Sequence, residues 1–112
     1  MMRQVLWMSI RPATAEQYVD LVKQAIFELE DIIEARGFDI DEIDEMPGYV
    51  TVLLKELRAM LAAMKDGDYR FDRHDLPMMR IVRQQTEKEL PCIRLLYQIN
   101  ETHRLGLDVP AD

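Results

Sequence analysis

Residues 14–37 read TAEQYVDLVKQAIFELEDIIEARG, and this stretch decides the fold. Thr14-Ala-Glu-Gln17 has the form of a capping box, in which a threonine and a residue three places on satisfy each other's free backbone donors. A helix is therefore predicted to start at about Ala15. From there Tyr18, Val22, Ala25, Ile26, Leu29, Ile32 and Ile33 recur at steps of three and four, which puts them on one helical face. Gly37 supplies a left-handed stop, and Phe38 is placed to fold back on Ile33 as in a Schellman ending.

The rest of the chain carries the same period. A second helix is predicted to open near Pro47, which a first turn tolerates because its missing N–H would be unpaired there. Val50, Leu53, Leu54, Leu57, Met60, Leu61 and Met64 form its stripe; Lys65 suits its last turn, and Asp66-Gly67 closes it. Asp75 is the expected cap of a third helix, with Pro77 in its first turn and Met78, Met79, Ile81 and Val82 as apolar content. Pro91 then falls within an otherwise helical run. It lacks a backbone donor and its ring crowds the carbonyl of Glu87, so a kink or break is expected there, with Thr86 and Glu89 as a second capping box. The last helix is expected over roughly Leu90 to Arg104. Leu90, Cys92, Ile93, Leu95, Leu96, Tyr97 and Ile99 surround most of it, leaving only Arg94, Gln98 and Glu101 as a polar line. A helix apolar on most sides must be covered on most sides. Two readings follow: it is the central helix of a bundle, or Leu95, Leu96, Tyr97 and Ile99 meet a second copy of the chain.

These patterns predict an all-α domain spanning residues 1–112, a three- to four-helix antiparallel bundle whose last long helical segment is kinked or broken at Pro91. The arm 1–12 and the tail 107–112 are peripheral. Within the arm, Val5, Leu6, Trp7, Met8 and Ile10 fit a short strand or a helical turn equally well.

Composition bounds the function. At 112 residues, 48% of them hydrophobic, the chain has the balance of one globular domain. Its net charge is −7, and residues 1–56, with twelve acids and five bases, hold all of that excess; the second half holds nine of each. Such a field disfavours nucleic acid and anionic membrane as partners. The one cysteine, Cys92, permits neither an intrachain disulfide nor a cysteine-based metal framework, and no apolar run approaches a membrane span. A cytoplasmic location is the expectation.

Nine acids fall between Glu28 and Glu45, with Arg36 the only base among them. A calcium loop started at Asp39 would place Ile43, Asp44 and Val50 where an oxygen ligand, a glycine and a glutamate are needed. Glu28 and Asp31, one turn apart, suit magnesium held against a phosphate chain, as in all-α nucleotide or phosphate hydrolases. That chemistry requires a facing acidic pair, and the second helix offers Glu56 alone. The acids otherwise read as helix ends and a solvated face. Glu30, Glu34, Asp39, Asp41, Glu42, Asp44 and Glu45 then present a surface to a basic protein partner. Glu101 and His103 stand two apart, on different helix faces, so they miss the Glu-x-x-His spacing of a di-iron bundle. Both histidines read as exposed or capping groups. Arg70, Arg73, Arg80 and Arg83 interleave with Asp68, Asp72 and Asp75, as in a salt-bridged loop, with a nucleic-acid-associated regulator as the remote alternative. No cofactor motif or catalytic constellation is present. The function expected by elimination is a non-catalytic interaction or accessory module that self-associates; the alternative is a magnesium-dependent hydrolase using Glu28 and Asp31.

Overall fold

A computed structural model describes residues 11–35 and 48–109. Among them are four helices and no strand, so the fold is all-α: α1 Ala15–Ala35, α2 Tyr49–Asp66, α3 Met79–Val82 and α4 Ile93–Leu105. The Gly37–Phe38 ending, the acidic turn 39–45 and the arm before Arg11 lie outside the described residues.

The first helix begins where its cap demands. The Gln17 N–H donates to Thr14 Oγ1 at 3.1 Å, and Gln17 Oε1 accepts the Ala13 N–H at 2.8 Å, one residue further upstream than an ordinary capping box reaches. Its stripe is buried at Tyr18, Val22, Ala25, Ile26, Leu29 and Ile33. At the end of α2 the Asp68 N–H reaches the Ala63 carbonyl and the Gly67 N–H the Met64 carbonyl, a full Schellman pair. Gly67 makes this possible at φ 78°, a left-handed conformation that a side chain would strain.

Residue pairings fix the orientation. Glu30 meets Arg58 while Tyr18, near the start of α1, meets Tyr69, just past the end of α2, so these helices run antiparallel. Tyr18 also meets Ile99, and the Cys92 thiol feels the charge of Glu28, so α4 runs antiparallel to α1 as well. Hence α1, and not α4, is the helix against which both long neighbours pack. One cluster of buried side chains fills the space between them. Leu29, Leu53, Leu54, Leu57, Met79, Leu90, Leu96 and Ile99 are fully covered. Each such side chain contributes about 1.5–3 kcal/mol of burial.

The second half departs from its pattern. The third helix is one turn long, and Asp75 does not cap it; Met78 stands at the cap position with no side-chain cap bond. Asp75 instead accepts from Asn100 Nδ2 at 3.0 Å and pairs with Arg83 at 2.7 Å, stronger partners than a lone backbone donor. The Thr86–Glu89 capping box forms, each side chain taking the other's backbone N–H at 3.3 Å. It closes only a turn, and α4 begins at Ile93, two residues after Pro91.

The covering of α4 comes from its own chain. Leu96 and Ile99 are fully buried in the monomer, which removes them from any exposed self-association face. Leu95 is half-buried and Tyr97 exposed. The solvent line of the helix runs through Arg94, Tyr97, Glu101 and Arg104, with Gln98 half-covered beside it.

Candidate functional site

Two polar features stand on this frame. The first ties the connection after α2 to α4. Tyr18 donates its hydroxyl proton to the Ile99 carbonyl at 3.1 Å, and its oxygen lies 2.9 Å from that of Tyr69, which in turn meets His103 Nδ1. Phe71 stacks on Tyr18 at 5.8 Å and meets Tyr69 edge-on at 5.2 Å, closing an aromatic wall over these bonds. A carbonyl can only accept, so the direction of the chain is fixed. Tyr18 gives its one proton to Ile99, Tyr69 must give its own to Tyr18, and His103 Nδ1 must carry the hydrogen donated to Tyr69.

His103 is 7% exposed, contrary to the exposed or capping role expected of it, because Leu96, Ile99, Asn100 and His103 share the inward face of α4. Burial lowers its pKa, and it raises those of both tyrosines. One turn earlier, Asn100 is buried with both ends used: Oδ1 accepts the Leu76 N–H at 2.8 Å and Nδ2 donates to Asp75. Arg83, Asn100 and Arg104 hold the Asp75 carboxyl down to about 2. These groups satisfy one another. With each hydroxyl and the ring nitrogen engaged by another, the arrangement clamps the connection after α2 to α1 and α4. Cys92, buried, has its thiol pushed up to about 11 and behaves as a small hydrophobe.

The second feature is the outward face of α1. Gln24, Phe27, Glu28, Asp31, Ile32, Ala35 and Pro91 line a groove of about 510 Å³. Glu28 accepts from Gln24 Nε2 at 3.4 Å, and no described cation pairs with Asp31 or Glu34. Glu30 is different: Arg58 meets it at 2.6 Å on the α2 side. Glu56 lines another groove with Met60, Tyr69 and Pro77, where burial raises its pKa against the opposing Met78 N–H. The structure therefore brings Glu28 and Asp31 together and leaves Glu56 apart. Among the described residues no three His, Cys, Asp or Glu side chains form a group that could hold a metal ion. Asp39, Asp41, Glu42, Asp44 and Glu45 fall outside the described residues.

Of the bases in the connection, Arg83 is paired with Asp75, while Arg70, Arg73 and Arg80 are exposed. No described helix is long and apolar enough to cross a membrane. Phe27 is the residue that the periodicity passes over. It lies off the buried stripe, 64% exposed between the carboxylates, and its signal was an aromatic on a polar face. Asn100 had a fainter one, a lone amide in register with Leu96, Ile99 and His103. No family model, curated protein or solved structure matches this chain.

Proposed function

We propose that this chain is a non-catalytic interaction or accessory module whose acidic α1 face meets a basic protein partner. The observation that carries the reading is the division of its polar groups. Tyr18, Tyr69, Asp75, Asn100 and His103 are turned on one another in the clamp, whereas Asp31 and Glu34 are exposed, with Glu28 half-buried beside them, on the half of the chain that holds the excess charge. Such a field raises the encounter rate with cationic surfaces and suppresses anionic partners. Self-association through α4 is not part of this reading, since Leu96 and Ile99 belong to the core.

Calorimetric titration with Mg²⁺ and Mn²⁺, beside a hydrolysis assay on nucleoside triphosphates, tests the non-catalytic half. The expected result is weak, non-saturating heat and no turnover. A stoichiometric heat and a turnover that both disappear in the Glu28→Ala, Asp31→Ala double variant contradict it.

A further inference from the structure

We propose that the groove around Phe27 is the docking site for a basic, amphipathic helical segment of another protein, and this rests on the interaction-module reading above. Phe27 is a large apolar side chain 64% exposed in the middle of a long helix, and Ile32, Ala35 and Pro91 continue its apolar surface. Singly exposed hydrophobics are ordinary on a protein surface; this one stands in a groove with apolar neighbours and a charged rim. That rim is of one sign. Glu28 and Asp31 stand three residues apart on α1, about 5–6 Å between their β-carbons, which matches two cations one turn apart on a facing helix.

The occupant follows from charge. A two-fold pairing of this groove with a second copy would bring together two linings whose charged members, Glu28 and Asp31, are all acidic, with no cation in either lining to neutralise them. A segment with an apolar side chain against Phe27 and Lys or Arg against the rim leaves no carboxylate facing its like, and arginine would add paired hydrogen bonds. The partner is thus identified by chemistry: an apolar anchor flanked by cations at helical spacing.

The probe is an acetylated amphipathic helical peptide of leucine and lysine, its fluorescence anisotropy read against the intact chain at low and high salt. Saturable, salt-sensitive binding is expected, about tenfold weaker for Phe27→Ser and again for Glu28→Lys with Asp31→Lys. Phe27 and both carboxylates lie outside the core, so circular dichroism should show every variant folded. Binding that survives both sets of substitutions overturns the groove while leaving an acidic interaction module standing. No binding at low salt overturns the groove and that module together. A dimer of the chain alone that Phe27→Ser dissolves overturns the basic partner in favour of a second copy.

Discussion

Asn100 holds Asp75 from within the core: its Nδ2 donates to Asp75 Oδ1 at 3.0 Å while its Oδ1 takes the Leu76 N–H at 2.8 Å. One buried amide thus fixes both the backbone and the charge of the connection that leads into α3. Asn100→Ala leaves the Leu76 donor without its partner, which costs about 1–3 kcal/mol. Urea denaturation followed by circular dichroism checks this; a change within error of zero would show that the connection is held by packing alone.

Acid should act through Asp75. Its carboxyl is held down to about 2 from an ordinary 3.8, first by the Arg83 hydrogen bond and then by Asn100. The folded pKa is depressed, so the stabilisation is complete above 3.8 and is lost as pH falls through about 2. The stability curve of Asp75→Asn should be flatter than that of the wild-type across that window. A carbon-detected NMR titration of the Asp75 carboxyl gives the midpoint directly.

His103 should weaken the fold at mildly acidic pH. Burial lowers its pKa below the ordinary 6.5, partly opposed by Asp72 and Asp75 and reinforced by His74. The unfolded chain takes up this proton first, so stability is complete above 6.5 and falls as pH drops through the lower folded value. His103→Gln should remove that part of the fall. The hydrogen-bond direction further requires the neutral ring to carry its hydrogen on Nδ1, which nitrogen chemical shifts distinguish from the Nε2 form.

The last helix is covered by its own monomer. Leu96→Ala should therefore cost about 2–5 kcal/mol and lower the unfolding midpoint regardless of protein concentration. A loss that shrinks as concentration rises would return Leu96 to a subunit interface.

The first half of the fold was legible because each signal was local. Thr14 and Gln17 set a helix start, the stripe from Tyr18 to Ile33 set its buried face, and Gly67 set a stop. In the second half, long-range partners overrode local ones. Asp75 has the form of a cap, but Arg83 and Asn100 claim it; Leu96 has the look of an interface residue, but the chain's own core covers it. The site divides similarly. Glu28 and Asp31 are readable as a pair, one turn apart, whereas the groove beside them depends on Pro91, which only folding brings near. Phe27 was hidden by being off the period.

Recruitment of a basic protein by the α1 carboxylates is the function proposed for this chain. It is tested most directly by immobilising the wild-type chain and a folded Glu28→Lys, Asp31→Lys, Glu34→Lys variant, then comparing what each retains from native cell extract as salt rises. A basic protein should be retained by the wild-type, released by salt and absent from the variant. Retention of the same proteins by both chains, unaffected by salt, would contradict it.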